Sequence, residues 1–255
     1  MIDIHDEGAV RTLTLQHPPA NALDPALLAG LRSSLETSFE EGAGPRALVL
    51  AGAPGMFSGG LDVPSLLPLD RSALATAFDD FWAIQELLAT SPIPVVAAIT
   101  GHSPAGGCVL ATACDERIMA RGRFKIGLNE VRVGLPLPPM IFEALQHLVG
   151  PVQALRWGAE GYMGNPEEAL AAGLVDELVE PEAVVPRAQE RCREKLALPA
   201  EAFSRTRRLA RAAIADIYRQ GEASSRQELL DGWFSAEAQE NLHALVQRLN
   251  KPKKK

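Results

Sequence analysis

The stretch from Ile93 to Asp115 constrains this chain more than any other. Its first part, Ile93-Pro94-Val95-Val96-Ala97-Ala98-Ile99, is a short apolar run rich in β-branched residues, the pattern of a strand covered on both faces. It empties through a glycine turn, Gly101 to Gly107, onto the helix-compatible run Cys108 to Cys114. The first N–H groups of a helix have no intrahelical partner and lie at the positive end of its dipole. Such a terminus draws anions or developing negative charge. Glycine also lets a ligand approach the backbone closely. A tight packing turn is the more frequent explanation of paired glycines, so this stretch alone marks a candidate anion hole and nothing finer.

The neighbouring segments repeat the strand-then-helix rhythm. Val10 to Leu15 alternates as a strand, and Arg46 to Gly52 is apolar throughout. Asp24 caps a helix with Pro25 at its first position; Leu27, Leu31, Leu35 and Phe39 supply its apolar face, and Gly42 and Gly44 end it. A second helix runs from about residue 71 to 90 on Leu74, Phe78, Phe81, Ile84 and Leu88, with Trp82 on the flank of that stripe. A short strand at 117–120 follows, then a helix over 140–149 stopped by Gly150. Asn165-Pro166-Glu167-Glu168 opens another helix that Gly173 closes, and 174–179 reads as the last strand. Beyond it the strand signals vanish, and helices are expected near 182–195, 199–218, 222–233 and 235–250, the last capped by Ser235. The pattern predicts an α/β fold: a βα core over residues 1–180 and a helical C-terminal region over 181–255.

Composition narrows the function classes. The net charge of −7 speaks against general nucleic-acid binding, and the basic run Lys251 to Lys255 reads as a solubilising tail. No apolar run approaches membrane-spanning length, and the first residues lack a basic flank with an apolar signal core. Cytoplasm is the expected compartment. Cys108, Cys114 and Cys192 show no paired metal-ligand spacing and read as reduced, buried thiols. The five histidines are scattered without a metal signature, so no metal is expected; His102 reads as a structural hydrogen-bonding residue of its turn. Ser58 and Ser103 lack partners for a triad. Arg205, Arg207, Arg208 and Arg211 span two faces of a helix and read as a solvated surface, with phosphate binding as the alternative.

Two further stretches change the meaning of the glycine turn. Met56-Phe57-Ser58-Gly59-Gly60-Leu61-Asp62-Val63 is a second glycine loop after a buried strand, and Phe124 to Pro136 contains Ile126-Gly127-Leu128-Asn129-Glu130. Together with Pro104-Ala105-Gly106-Gly107-Cys108 they resemble the crotonase superfamily, the enoyl-CoA hydratase/isomerase family, and within it the mitochondrial-type 3,2-trans-enoyl-CoA isomerases. The likeness runs from the Pro19-Ala20-Asn21-Ala22-Leu23 segment to the last helix. It implies a spiral of ββα turns, with trailing helices that support a homotrimer or hexamer and cover the active site. It also implies an acyl-CoA thioester as substrate, with no separate cofactor.

The resemblance assigns roles residue by residue. The N–H groups of Leu61 and Gly106 would hold the thioester oxygen as negative charge grows there. Gly59, Gly60 and Asp62 would shape the first loop, with Val63 beside the CoA arm; Asp62 reads physically as a cap. Gly59 stands where the family more usually has alanine. Family hydratases use two glutamates; the first position here is Val109, which cannot exchange a proton, and the second is Glu130. Moving a double bond needs one proton-transfer group, whereas adding water is easiest with two. One carboxylate facing an apolar wall, to which Val109 would contribute, predicts an isomerase that converts 3-enoyl-CoA to trans-2-enoyl-CoA in fatty-acid β-oxidation. The alternatives are weak hydration or thioester hydrolysis by Glu130, or a catalytically silent acyl-CoA-binding protein.

Overall fold

The apolar runs expected to be doubly covered form the middle of a six-stranded sheet. In the computed structural model, which describes residues 1–40, 42, 44–220 and 222–249, the strands are β1 (Ile2–Glu7), β2 (Val10–Leu15), β3 (Ala47–Ala51), β4 (Gly55–Met56), β5 (Val95–Ile99), β6 (Gly101–Pro104), β7 (Glu116–Ala120), β8 (Ile126–Gly127) and β9 (Glu177–Val179). The large sheet has the order β1-β2-β3-β5-β7-β9; β1 runs antiparallel to β2 and every other pair is parallel. Every residue of β3 and β5 is buried, which is why both read as unbroken apolar runs.

The helices are α1 (Pro25–Phe39), α2 (Val63–Leu66), α3 (Arg71–Thr90), α4 (Gly106–Thr112), α5 (Pro139–Ala154), α6 (Pro166–Ala171), α7 (Val184–Leu196), α8 (Ala200–Gln220), α9 (Glu222–Trp233) and α10 (Ala236–Leu249). Their caps are those the sequence announces: Asp24 accepts from Leu27 N at 2.7 Å, Asn165 and Glu168 close a reciprocal capping box, and Ser235 accepts from Ala238 N at 3.2 Å. Gly150, at φ +75°, does break α5, but the chain resumes helix at Pro151 and ends in a π-helical turn, Leu155–Ala159. The basic run 251–255 and the last residue expected in α10 lie outside the described residues.

Strands that the sequence leaves unread build the rest. The segment 101–104, expected as part of a turn, is β6, the centre of a small parallel sheet β4-β6-β8. Successive units β3-β4-α3, β5-β6-α4 and β7-β8-α5 therefore repeat one plan: a strand of the large sheet, a strand of the small sheet, then a helix. This is the spiral of ββα turns that the resemblance implies. The strand β1 was also unannounced, because Ile2–Glu7 is mostly exposed at the sheet edge and its apolar alternation stops after Ile2 and Ile4.

Alternation along each strand separates two cores. Leu48 and Leu50 of β3, with Val95, Ala97 and Ile99 of β5, face α1, α3 and α4. Val49, Val96, Ala98 and Ile118 face the other way, against Val184, Ala188 and Cys192 of α7. The first long helix of the C-terminal region thus seals the second face of the sheet, while α8, α9 and α10 gather on the opposite side with α3 and α5. Trp82 is fully buried in the first core.

The α8 arginines correct the expectation of a solvated face. Arg205 and Arg208 are exposed, but Arg207 and Arg211 are turned inward. Arg207 makes two bonds to the Asp115 carboxylate, at 2.9 and 2.8 Å, and donates to Ser91 O and Oγ. Arg211 donates to Leu88 O, Ala89 O and Ala113 O, the carbonyl ends of α3 and α4. Cations at helix C-termini oppose the dipole favourably, so these residues clamp α8 onto the core. Asp115 also accepts from Val95 N at 2.7 Å, tying the clamp to β5. Among the described residues no helix is long and apolar enough to cross a membrane. Replacing Asp115 by Ala leaves two buried guanidinium groups without their carboxylate. We expect a loss of about 3–5 kcal/mol, read from urea unfolding, against less than half that for Arg205→Ala.

Candidate active site

The two glycine loops meet through their backbones. A Cβ placed on Gly60 would lie 2.9 Å from Gly106 N, and one on Gly106 would lie 3.3 Å from Leu61 N. The peptide units carrying the Leu61 and Gly106 N–H groups are therefore immediate neighbours. Each is flanked by fixed hydrogen bonds that leave these two donors out. Around Leu61, Leu23 N donates to Gly60 O at 2.8 Å and Asp62 N to Leu23 O at 3.1 Å. Gly106 is the first residue of α4, where an N–H has no intrahelical acceptor. Before it, Ala105 N donates to Gly127 O at 2.8 Å, and Ala105 holds φ +47° with ψ −123°, a conformation that costs an L residue about 1–3 kcal/mol.

Two buried polar residues that the sequence reading did not assign a role hold the first loop. Asn21, at φ +47°, accepts from His17 N at 2.8 Å and donates to Met56 O and Phe57 O at 3.2 and 3.3 Å. Ser58 Oγ donates to Asn21 O at 2.8 Å and accepts from Gly60 N at 3.2 Å. Ser58 is thus a positioning residue, in keeping with its lack of triad partners. The available signal was an asparagine in an otherwise apolar segment, Pro19 to Leu23. Gly59 N donates to Ala20 O at 2.8 Å, and a Cβ at Gly59 would meet that oxygen at 3.1 Å, so glycine here permits the close approach.

Glu130 begins a short 3₁₀ turn, Glu130–Val133, ended by Gly134 at φ +76°. Its Oε2 is sealed from solvent and has no hydrogen-bond partner among the described residues. Loss of hydration disfavours the charged form, and burial pushes the carboxyl from its ordinary 4.5 up to about 7. A carboxylate with a pKa near neutrality is poised to take and return a proton.

These groups border one cavity of about 680 Å³, whose wall includes Gly59, Leu61, Asp62, Val63, Gly106 and Glu130. Gly60 lies behind the wall, as does Val109, which is fully buried in the first core. Asp62 does stand at the N-terminus of α2, but its carbonyl, not its side chain, accepts from Ser65 N and Leu66 N; the carboxylate caps nothing and borders the cavity. His102 is structural: its Nδ1 accepts from Lys125 N at 3.1 Å and its ring meets the Phe124 ring edge-on. The three cysteines are free and buried, and burial raises the thiol of Cys114 to about 12. The C-terminal helices close the cavity with Leu229 and Trp233 from α9 and Leu245 and Leu249 from α10.

The comparisons with known proteins agree with this geometry. The profile of the family described as Enoyl-CoA hydratase/isomerase matches residues 5–253. The mouse protein Enoyl-CoA delta isomerase 1, mitochondrial, is 32% identical over 99% of this chain and 88% of its own length. The crystal structure of human mitochondrial delta3-delta2-enoyl-CoA isomerase superposes with a TM-score of 0.92 at 29% identity, covering 99% of both chains. A protein of Mycobacterium tuberculosis described as Probable enoyl-CoA hydratase EchA17 is 31% identical over 85% of this chain and 80% of its own length.

Two consequences are measurable. A Cβ at Gly107 would lie 2.4 Å from Ser58 O, so Gly107→Ala forces the two loops apart. We expect a stability loss of about 1–3 kcal/mol in denaturant unfolding, together with a fall in whatever turnover uses both amides. Glu130 binds its proton more tightly in the folded chain than in the unfolded one. Its burial therefore costs nothing below about pH 4.5, and its cost grows as pH rises towards 7, reaching roughly 3 kcal/mol at pH 8. Glu130→Gln should gain about 2–3 kcal/mol relative to the native chain between pH 5 and pH 8; equal differences at both pH values would contradict the burial of the charge.

Proposed function

Because the chain belongs to the enoyl-CoA hydratase/isomerase family, we propose that it is an isomerase that moves the double bond of a 3-enoyl-CoA to the trans-2 position. The observation that carries this reading is the pairing of one carboxylate, Glu130, whose Oε2 is sealed and unpartnered among the described residues, with two backbone donors on the wall of one cavity. Asp62 also borders that cavity, on the α2 side beside Pro64, but only Glu130 of the two has a carboxyl oxygen sealed from water. Val109 stands where the family hydratases have a second glutamate. The isomerase names of the mouse and human relatives support the same choice.

The thioester oxygen sits between the N–H groups of Leu61 and Gly106. Glu130, ionised, takes a proton from C2, and the electron pair delocalises through C3–C4 and onto that oxygen as a dienolate. The two amides stabilise the new charge without reorganising, because their loops are already fixed. The protonated Glu130 then returns the proton to C4, leaving the conjugated C2–C3 double bond. Atoms and electrons balance within substrate and enzyme, and no cofactor beyond the substrate's own CoA is needed. Such a step belongs to the β-oxidation of unsaturated fatty acids. A homotrimer or hexamer is the assembly we propose for it, as the resemblance implies.

The test is turnover of trans-3-hexenoyl-CoA, followed by the ultraviolet absorbance of the conjugated thioester. Glu130→Gln should lower kcat by about 10²–10⁴-fold while the dissociation constant for the thioester changes only a few-fold. For the native enzyme kcat/KM should fall tenfold per pH unit below about 7, as Glu130 is protonated. Accumulation of 3-hydroxyhexanoyl-CoA as the main product would replace isomerisation by hydration. Binding without conversion would make the chain a silent acyl-CoA binder.

A further inference from the structure

A second cavity, of about 420 Å³, lies at the C-terminal end of α4 and shares no wall residue with the first. Gly106 begins that helix at the first cavity, and Thr112 ends it at the second. Four cations, Arg117, Lys195, Arg207 and Arg211, border this space with one carboxylate, Asp115, which Arg207 and Arg211 share. Behind the wall, Asp176 holds Arg117 at 2.6 Å, and Glu116 pairs with Lys195. Even with these two acids counted, one guanidinium of the wall has no carboxylate of its own. Two donors are also left over. Arg117, 4% exposed, donates to Cys114 O at 3.1 Å, but its Nε is sealed and has no partner among the described residues. Arg211 gives its Nε and Nη2 to Ala89 O, Leu88 O and Ala113 O, and its Nη1 makes no bond among the described residues.

The rest of the wall is partly apolar, with Leu148 of α5 and Phe203 and Ile214 of α8, while His147 and Thr206 stand exposed at the rim. We propose that this second cavity binds a small organic anion, its oxyanion head against Arg117 and Arg211 and a short hydrocarbon tail along Leu148, Phe203 and Ile214. A buried cation without its own counter-charge is costly, and an oxyanion supplies both the missing charge and acceptors for the leftover donors. Burial, opposed by Asp115 and reinforced by the charges of Arg207 and Arg117, holds Arg211 below its ordinary pKa, the direction expected of a cation short of counter-charge. The volume is that of a small-molecule site. The proposal is independent of the thioester reading of the first cavity. It adds a role to the clamp of α8, whose two inward arginines hold the helix and leave one positive charge facing the space beneath it.

The experiment is calorimetric titration of the native protein, at constant ionic strength, with hexanoate, hexyl phosphate, the neutral hexanamide and inorganic phosphate. We expect one saturable site per chain for a hexyl anion, with hexanamide at least about tenfold weaker. The tighter of hexanoate and hexyl phosphate identifies the head as carboxylate or phosphate. Removing an inward arginine also loosens α8, so the variants are placed at the exposed rim. Thr206→Glu puts a carboxylate into the cavity and should weaken the anion at least about tenfold, whereas Thr206→Gln, of the same size, should change it less than about twofold. Circular dichroism and sedimentation of both variants accompany the titrations. Equal binding of hexanamide and hexanoate, or anion binding unmoved in a folded Thr206→Glu, overturns the proposal. Inorganic phosphate as tight as hexyl phosphate overturns the part given to the apolar wall. No binding to the native chain, together with a smaller assembly in Thr206→Glu, overturns it as well and makes this face a contact between copies.

Discussion

The architecture depends on one contact: two loops from different turns of the spiral touch backbone to backbone. The Gly60 and Gly106 peptides approach so closely that a methyl group on Gly60 would collide with the other loop and one on Gly106 would press tightly against it. Two N–H groups can converge on one oxygen only if their carriers come this near, and side chains would hold them apart. The contact is expensive. It leaves two polar groups without intramolecular partners, keeps Ala105 in a disfavoured conformation and requires a buried asparagine at positive φ. These local costs persist because neighbouring bonds over-determine them: Asn21 and Ser58 on one side, Gly127 O on the other.

The small sheet explains how the loops reach one another. The strands β4 and β6 pair in register, Gly55 with Gly101 and Met56 with His102, immediately before the two donor loops. The strand β8 pairs with β6 through Ser103–Ile126 and Pro104–Gly127, and Glu130 follows three residues later. Three consecutive ββα turns thus deliver their functional groups from one parallel ladder. Separation along the chain, from residue 61 to 106 to 130, becomes adjacency because each turn of the spiral adds one strand beside the last.

That ladder is also what the sequence conceals. The long runs at 47–51 and 95–99 are legible because a doubly covered strand must be apolar at every position. The helices are legible because their caps and stripes repeat at fixed offsets. The strands β4 and β8 have two residues each and no periodicity, while β6 is Gly-His-Ser-Pro, a composition that reads as turn. The proposed donors Leu61 and Gly106 would act through their backbones, so their identities carry little signal; they came from the motif resemblance, as did Glu130. Arg207 and Arg211 were misread because an arginine that clamps helix ends has the same sequence appearance as one in water. Only the tertiary positions of Asp115 and the carbonyls of Leu88, Ala89 and Ala113 tell them apart.

The C-terminal helices complete the electrostatics, not only the shape. A glutamate on an open sheet edge would be hydrated and acidic. Here α10 packs against the 130–134 turn through Ala238 and Asn241, which crowd Gly134, and reaches α2 on the other side of the cavity. The helix therefore spans from the turn carrying Glu130 to the loop carrying Leu61 and lines the cavity between them with Leu245 and Leu249. Burial raises the affinity of Glu130 for its proton, and the same low-polarity surroundings would strengthen the pull of the two amides on negative charge in the proposed reaction. A second buried carboxylate at position 109 would repel the first and raise the cost of ionising either. Valine there adds no such charge beside Glu130, which the proposed single-base chemistry requires to ionise near neutral pH.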